Sequence, residues 1–391
     1  MILFVFHVAT VVMSGIFQKK AGWPLNRSGR CRYKPFFNTP VLLCKDLFAP
    51  EGKRTLTREF FCYTVSLSGY SPVRKTKGRS GGALRRLRVK NEKSEILIPK
   101  GTLRDTLTKA TGRALGTGAL PPIPTEYEFV EDAGVRFFVR VLTNLARKDE
   151  EKKKQKLEGS PVNPFLPFDK DLFVADISET HVAVLNKFNV VEHHLLVVTR
   201  EFEDQETLLT IADFEALWAC LREYDSLGFY NGGEAAGASQ RHKHLQVVPL
   251  PLAPEGPAVP VEPLFSEAQF RGNIGTIPGL AFLHVFARLG AARSTKEAAE
   301  KTFRLYADML RHVGMKGPTG DVLEKQSGPY CLLVTRQWML LVPRSVEFFE
   351  GISINSLGYA GALLVRDLKQ MEILKMRGPM EALRNVALPL P

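Results

Sequence analysis

The sequence predicts an α+β fold in which an antiparallel sheet is flanked by helices and preceded by a disordered N-terminal extension. The strand-like segments lie between helical segments without regular βαβ alternation, which favours an antiparallel over a parallel sheet. The first 90 residues contain 18 Lys and Arg but only 3 Asp and Glu, whereas the remaining residues contain 35 and 38. The basic excess therefore belongs to the extension, and the rest of the 391 residues can form one large, nearly neutral globular domain.

Residues 1–95 are predicted to be a targeting leader. Its first 17 residues, Met1 to Phe17, form an apolar stretch that is too short for a stable membrane-spanning helix. A basic tract poor in acidic residues follows, which is typical of transit peptides. This order favours two-step import into a plastid. A mitochondrial presequence, a disordered basic arm, and a misplaced start with Met13 as the true first residue, which would leave the protein cytoplasmic, are the alternatives.

Cysteine usage indicates a reducing compartment. Three of the five cysteines lie in the leader, and only Cys220 and Cys331 follow it. No CxxC pair or Cys/His cluster has the spacing of a zinc site, so neither disulfides nor a dedicated metal site is predicted.

The helices and strands after the leader are predicted from hydrophobic periodicity and from capping, turn and breaker residues. Apolar residues from Leu103 to Leu115 recur at helical spacing, and Thr210 with Asp213 has the pattern of a capping box at a second helix start. The remaining predictions are strands over 135–141, 181–188, 193–199, 242–249, 330–336 and 338–342, a chain break at 230–233, and a helix over 357–376, with His284 and His312 also in helices.

The most informative segment is His242-Lys243-His244-Leu245-Gln246. In a strand, His242, His244 and Gln246 line one face, where three nitrogen-bearing side chains can surround a tetrahedral phosphate. Neutral imidazole is a competent nucleophile near pH 7, and glutamine can donate a hydrogen bond without acting as an acid or base. Spacing alone fits a half metal site or ordinary polar face residues equally well.

A glycine-rich loop directly precedes this strand. Residues 230–240 (YNGGEAAGASQ) are small and polar, and such a loop lets backbone N–H groups approach phosphate oxygens closely. A glycine-rich loop by itself is a weak signal. Joined to a strand that carries HxHxQ, it predicts a phosphate-binding site.

The segment 236–250, AGASQRHKHLQVVPL, resembles the active-site segment of ATP adenylyltransferases, also called diadenosine tetraphosphate phosphorylases. That family is the transferase-type branch of the histidine-triad (HIT-like) superfamily. Stretches 123–148, 163–174, 181–203 and 332–365 are similar to the same family and occur in order. The resemblance implies a HIT-like catalytic domain over 96–391, in which 96–250 carries the HxHxQ site and 251–391 closes it.

The resemblance also implies roles for individual residues. His244 matches the family's nucleophile, His242 supports the phosphate or orients its neighbour, and Gln246 holds the transferred phosphoryl group. The implied substrate-binding residues are Lys148, Asn186, Lys187, Asn231, Gly237, Ala238, Ser239, Gln240, Tyr330, Cys331 and Arg336. The chain departs from the family at Pro329 and Cys331, where Ser and Asn are more common.

The implied activity is reversible phosphorolysis of diadenosine tetraphosphate by phosphate, giving ATP and ADP through adenylyl-His244. Mg²⁺ is expected with the polyphosphate, and the expected partners are nucleotides, with no nucleic acid, no membrane and a monomeric state. Hydrolysis is one alternative, although hydrolytic branches usually carry a third histidine where Gln246 stands. Hexose-1-phosphate uridylyl transfer predicts proline in place of Lys243. Nucleic-acid binding without catalysis is supported only by the basic leader.

Overall fold

A ten-stranded antiparallel sheet forms the centre of the protein in a computed structural model that describes residues 95–142, 163–319 and 324–391. A three-stranded sheet and a two-stranded hairpin accompany it. The predicted leader and Lys148 lie outside the described residues. Within the described ranges, no helix is both long and apolar enough to cross a membrane.

The helices and strands follow in chain order. The helices are α1 (Leu103–Thr117), α2 (Ile211–Leu221), α3 (Thr295–His312), α4 (Ser356–Tyr359), α5 (Leu368–Arg377) and α6 (Pro379–Val386). The strands are β1 (Thr125–Asp132), β2 (Val135–Leu142), β3 (Phe173–Asp176), β4 (His181–Leu185), β5 (Leu195–Thr199), β6 (Ser226–Gly232), β7 (His244–Pro249), β8 (Gln269–Arg271), β9 (Ile274–Thr276), β10 (Val285–Arg288), β11 (Tyr330–Val334), β12 (Trp338–Pro343), β13 (Phe348–Phe349), β14 (Ile352–Ser353) and β15 (Ala362–Val365).

Strand order places β7 inside the large sheet. The order is β3-β4-β5-β7-β6-β11-β12-β10-β9-β8, so β5 and β6 pair with β7 on its two sides. His244 is opposite Val198 of β5, and Gln246 is opposite Leu196 of β5 and Phe229 of β6. An interior strand has its backbone hydrogen bonds satisfied on both edges, so its side chains are held in a fixed register.

The two faces of the large sheet are covered differently. Helices α1, α2 and α3 pack on one face, which we call the helix face, with Leu245 and Val247 of β7 in their apolar cluster. The opposite face, which we call the site face, packs partly against the small sheet and helices α4 to α6. A separate small cluster around Phe165 covers β4 and β5 on the site face.

The predicted α+β fold with an antiparallel sheet and flanking helices is confirmed. The helix near Leu103 ends at Gly118 in the left-handed conformation, and the capping box of Thr210 and Asp213 is present. The pairing of β4 with β5 confirms the hairpin predicted from the two strand-like runs.

Several predicted elements are wrong. The predicted break at Tyr230 is part of β6, because the strand continues to Gly232 through pairing with β11. The predicted helix over 357–376 is divided into α4, β15 and α5; a turn at Gly361, with φ +87°, separates α4 from β15. His284 precedes β10 and lies in no helix; its Nε2 accepts a hydrogen bond from the Ile277 N–H.

Candidate active site

The HxHxQ segment begins at the N-terminal end of β7. His242 forms an isolated bridge with Asp204 just before the strand, and His244 is its first residue. The side chains alternate as the sequence predicts, because Lys243 and Leu245 face the helices while His244 and Gln246 lie on the site face.

One nitrogen of the His244 ring is hydrogen-bonded to the protein, and the other has no partner among the described residues. Its Nδ1 lies 2.8 Å from the carbonyl oxygen of His242, which can only accept, so Nδ1 carries the proton and donates it. No residue in the described part of the chain hydrogen-bonds to Nε2. The only fully buried side-chain N or O atoms without a partner in that part are Tyr224 Oη and Gln326 Oε1, so His244 Nε2 is at least partly accessible. Burial lowers the pKa of His244 to about 4. The ring is therefore neutral near pH 7, with the Nε2 lone pair directed toward accessible space.

Both nitrogens of the His242 ring are occupied by protein groups. Nε2 lies 2.7 Å from the carbonyl oxygen of Thr199 and donates to it, while Nδ1 accepts from Asn163 Nδ2 at 3.0 Å. The Asn163 amide is oriented by the Phe165 N–H, which donates to Oδ1 at 3.0 Å. Burial is the main cause that lowers the pKa of His242. This arrangement supports a role for His242 in orienting its neighbour through the backbone carbonyl.

Gln246 presents an amide NH₂ group beside His244. Its Oε1 lies 2.9 Å from Nε2 of His194, and no described residue pairs with its Nε2. His194 Nδ1 in turn lies 3.3 Å from Nδ2 of Asn186. Burial lowers the pKa of His194 to about 4, so this ring is also neutral near pH 7.

Asn231 supplies a third polar group on the site face. It lies two residues after Phe229 on β6, so its side chain is on the same face as that of Gln246. Its Oδ1 accepts the N–H of Ser356, the first residue of α4, at 3.0 Å, while no described residue pairs with its Nδ2. The buried Gln205 ties Asn231 to β7, because its Nε2 donates to the Asn231 carbonyl and its Oε1 accepts the His244 N–H.

The glycine-rich loop connects β6 to β7 around this site. Gly233 and Gly237 both have φ +91°, a conformation that favours glycine. Gly237 also packs closely on α4, since a Cβ atom there would lie 2.7 Å from Cβ of Asn355. The backbone N–H groups of Ser239 and Gln240 make no hydrogen bond within the described ranges. The loop thus offers backbone donors between Asn231 and His244.

An aromatic wall flanks the two histidines. The Phe165 ring centroid lies 5.5 Å from that of His242 and 5.4 Å from that of His244, and the Phe202 centroid lies 5.5 Å from that of His242. Phe165 is buried, whereas Phe202 is 53% exposed. These rings restrict the histidine orientations and lower the local polarity, which favours neutral imidazole.

Lys243 anchors the other face of the strand. Its fully buried Nζ lies 2.8 Å from Oδ2 of Asp213 and 2.9 Å from Oε2 of Glu203. Burial alone would lower the pKa of Lys243, but Asp213 and Glu203 outweigh it and raise the pKa. Asp213 also pairs with His181 at 3.1 Å, so a compact charged cluster fastens β7 to the start of α2.

The three predicted C-terminal residues make their side-chain hydrogen bonds and ion pairs with groups other than His242, His244 and Gln246. The side chain of Tyr330 lies on the helix face, where its hydroxyl is 2.6 Å from that of Tyr306. Cys331 shares the site face but is fully buried against Arg344. Arg336 lies beyond the far end of β11 and pairs with Asp225, which precedes β6, whereas Asn231 is near the opposite end of β6.

The remaining predicted residues lie at or near the site. Asn186 contacts His194, and the exposed Lys187 follows it in the turn between β4 and β5. Gly237, Ala238, Ser239 and Gln240 form the loop before β7. No group of three or more His, Cys, Asp and Glu side chains in the described part of the chain has the arrangement of a metal site.

A cleft of about 510 Å³ lies elsewhere, between α3 and the β8–β9 hairpin. Its lining includes Trp218, Phe270, Arg288 and Arg304, and none of the predicted site residues. Volume alone therefore does not identify the site, and we assign it to the surroundings of His244 on chemical grounds.

Sequence reasoning missed several residues that hold the site together. Asn163, Gln205 and Ser356 are 79, 39 and 125 positions away from His242, His244 and Asn231, which they contact. His194 lies outside the HxHxQ motif, yet it touches Gln246. Only the scarcity of histidine, with eight in the chain, was a usable signal for His194.

The arrangement is that of a nucleophile among hydrogen-bond donors. The neutral His244 Nε2 can form a bond to phosphorus, while the amide groups of Gln246 and Asn231 and the loop N–H groups can bind phosphate oxygens. No carboxylate is among these groups. This chemistry suits nucleotidyl transfer, in which negative charge must be bound around the attacked phosphorus.

Comparisons with known proteins agree with this class of enzyme. Residues 93–267 match the Ap4A phosphorylase N-terminal domain, and residues 278–389 match the ATP adenylyltransferase C-terminal domain. Diadenosine 5',5'''-P1,P4-tetraphosphate phosphorylase 2 of Saccharomyces cerevisiae is 27% identical over 61% of this chain and 78% of its own length. Protein APA1 of the same yeast is 27% identical over 49% of this chain and 63% of its own length.

Solved structures show the same fold. The crystal structure of yeast Ap4A phosphorylase Apa2 superposes with a TM-score of 0.61 and 24% identity, over 75% of this chain and 99% of that one. The structure of Apa2 in complex with Ap4A gives a TM-score of 0.58 at 22% identity with the same coverage. The chain is thus a nucleotidyltransferase of the HIT-like fold. Within that class, it belongs to the family of Ap4A phosphorylases and ATP adenylyltransferases.

Proposed function

We propose that this protein catalyses the reversible phosphorolysis of diadenosine tetraphosphate through an adenylyl-His244 intermediate. The observation that carries the proposal is the neutral His244 ring, whose Nδ1–H is held by the His242 carbonyl and whose Nε2 has no partner in the described part of the chain. The family membership and the relative that is named for this phosphorolysis support the same reaction.

In the first step, the Nε2 lone pair attacks the α-phosphorus, which is the phosphorus attached to one of the two adenosines. The bond from that phosphorus to the bridging oxygen breaks, and ATP leaves with the bond electrons. In the second step, an oxygen of inorganic phosphate attacks the same phosphorus, the nitrogen–phosphorus bond breaks, and ADP leaves. The Nδ1 proton stays on the ring throughout, where the His242 carbonyl stabilises the positive charge of the adenylylated imidazole.

The donors on the site face have separate tasks in this scheme. Gln246 donates to the transferred phosphoryl group, since it is the neighbour of His244 on β7 with a free amide. Asn231 and the N–H groups of Ser239 and Gln240 bind further phosphate oxygens. Lys187 and Lys148 supply positive charge to the polyphosphate, and Mg²⁺ bound to that substrate would reduce the charge repulsion during attack.

Replacement of His244 tests the proposal. We expect H244A to lose phosphorolysis by at least three orders of magnitude, because the rings of His242 and His194 have both nitrogens hydrogen-bonded within the protein. The variant should also yield no labelled adenylyl-enzyme with radioactive diadenosine tetraphosphate. H284Q is a matched buried-histidine control that should retain both signals. Wild-type turnover by H244A would contradict the mechanism.

Omission of phosphate separates transfer from hydrolysis. An Ap4A phosphorylase should stall as the adenylyl-enzyme and form little AMP, whereas a hydrolase would release AMP steadily. Gln246 cannot activate water as an acid or base, so we expect ADP with phosphate and only slow AMP without it. A uridylyl transferase would instead turn over UDP-hexose, which we expect to be inert.

We also propose that the basic leader directs a monomeric enzyme into a plastid. The support is the order of an apolar start and an acid-poor basic tract in residues 1–90. A fluorescent fusion of residues 1–95 should accumulate in plastids, and size-exclusion chromatography with light scattering should give the mass of one chain. Accumulation in mitochondria or cytoplasm would contradict the assignment of the leader.

A further inference from the structure

We infer that His194 is a positioning residue that fixes which end of the Gln246 amide faces the phosphate. The inference rests on the proposed function, because it concerns how the site presents donors to the transferred group. It is carried by a directional relay of hydrogen bonds from Asn186 through His194 to Gln246, each member with a defined donor and acceptor.

The relay begins at a backbone group. The Phe188 N–H donates to Oδ1 of Asn186 at 3.1 Å, which identifies that atom as the oxygen of the amide. The other end of the same side chain is therefore the NH₂ group, and it faces Nδ1 of His194 at 3.3 Å. Since an amide NH₂ can only donate, Nδ1 of His194 must be the unprotonated nitrogen of the ring.

The single proton of the neutral His194 ring lies on its other nitrogen. A neutral ring carries one proton, so the lone pair on Nδ1 places that proton on Nε2. Nε2 lies 2.9 Å from the side-chain amide of Gln246 and donates to it. The ring cannot easily turn to offer a different atom, because it is buried and packs on Phe229 with ring centroids 5.8 Å apart.

The proton on His194 Nε2 in turn fixes the orientation of the Gln246 amide. Because His194 offers a donor, the amide oxygen of Gln246 must face His194 and the NH₂ group must face the site. A flipped amide would place NH₂ against the Nε2–H of His194 and an oxygen against the phosphate. Both contacts would be unfavourable, so the relay enforces a site face that presents donors.

The relay changes the interpretation of Asn186. The family resemblance implies direct substrate binding by this residue, yet both ends of its amide are engaged by the protein. Asn186 thus acts on the phosphate through His194 and Gln246, while the neighbouring Lys187 is exposed and available for direct contact.

Kinetic measurements on three variants test the inference. H194F keeps a ring of similar size but removes the donor, and we expect kcat for adenylyl transfer to fall about 10- to 100-fold, less than the loss from deleting a donor outright. H194Q can accept from Asn186 and donate to Gln246, so we expect it to recover most of the lost kcat. H284Q replaces a buried histidine that contacts Ile277 and Phe282 outside the relay, and it should leave kcat unchanged.

The imidazole tautomer gives a readout that does not depend on activity. In full-length protein with ¹⁵N-labelled histidine, long-range ¹H–¹⁵N spectra should show His194 protonated on Nε2, assigned by the signals missing in H194Q. N186L should redistribute that proton between the two nitrogens and lower kcat in the same direction as H194F. A protein that lacks phosphorolysis but shows this tautomer would refute the proposed function and leave the relay intact.

Two outcomes would overturn the inference. One is an Nδ1-protonated His194 in the wild type, since the direction of the relay would then be reversed. The other is a folded H194F with wild-type kcat, or an H194Q no better than H194F at equal thermal stability. In either kinetic result, His194 would be a packing residue without influence on the amide of Gln246.

Discussion

Two neutral, buried histidines define the site at the scale of single residues. Burial lowers the pKa of both His244 and His194 to about 4, well below the ordinary value near 6.5. Desolvation disfavours the charged imidazolium, so each ring retains one lone pair through the physiological range. For His244 this keeps the nucleophile available, and for His194 it keeps the relay directional.

The lowered pKa of His244 predicts an unusual acid limb. Adenylylation needs the neutral ring, so its single-turnover rate should stay constant as the pH falls through 6.5 and should decline only toward pH 4. Rapid-quench measurement of labelled adenylyl-enzyme between pH 4 and 8 checks this. A half-maximal rate near pH 6.5 would show that the ring is solvated like a free imidazole.

The same burial has a stability consequence with a defined sign. The unfolded state binds protons on these histidines below pH 6.5, whereas the folded state does not until about pH 4. Stability should therefore fall as the pH falls through that window, by roughly 3 kcal/mol for each group. Urea unfolding of H194Q should show a shallower loss between pH 6.5 and 4 than the wild type; an equal slope would contradict the assignment.

At the scale of elements, strand β7, which carries His244, is held by an ion pair on its helix face. Lys243 on the helix face joins β7 to Asp213 at the start of α2. Replacing Lys243 with Met leaves the carboxylate of Asp213 buried without its strongest partner, and we expect a loss of about 3–5 kcal/mol in unfolding free energy. Denaturant titration measures it.

The exposed pair of Lys325 and Glu206 provides the control for that measurement. K325M removes an ion pair with Nζ to Oε2 at 2.7 Å on the surface, and the expected loss is below about 1 kcal/mol. Equal losses for K243M and K325M would mean that the buried cluster contributes no more than a surface contact.

The loop before β7 depends on one glycine. G237A places a Cβ 2.7 Å from Asn355 at a φ of +91°, so we expect at least about 2 kcal/mol of destabilisation and a parallel loss of turnover. G116A, in α1 with open space around the added atom, should be neutral or slightly stabilising. Wild-type stability and turnover in G237A would show that the loop tolerates another path.

Local patterns predicted much of the fold and part of the site. The alternation along 242–246 and the capping box at Thr210 are local, so the sequence was sufficient for both. The sequence did not show which side chains of β11 face the site, because a shift of one residue decides whether Tyr330 or Cys331 does so. The contact of His194 with Gln246 joins residues 52 positions apart, and no local pattern reveals it.

At the scale of the whole molecule, the basic excess and the described site lie in different parts of the chain. The basic excess lies in residues 1–90, and every element of the site described above lies after residue 162. A protein that starts at residue 95 should remain soluble, with kcat within about twofold of the full chain. An insoluble or inactive truncation would mean that the leader contributes to the fold or to catalysis.

The hydrogen bond from His244 Nδ1 to the carbonyl two residues earlier also determines which regioisomer of the covalent adduct forms. Only the tele nitrogen of the ring can be nucleotidylated while that bond persists. A trapped intermediate should accordingly be the 3-substituted phosphoramidate, which phosphorus NMR distinguishes from the 1-substituted isomer, and acylating reagents such as diethyl pyrocarbonate should modify this ring once and at that nitrogen.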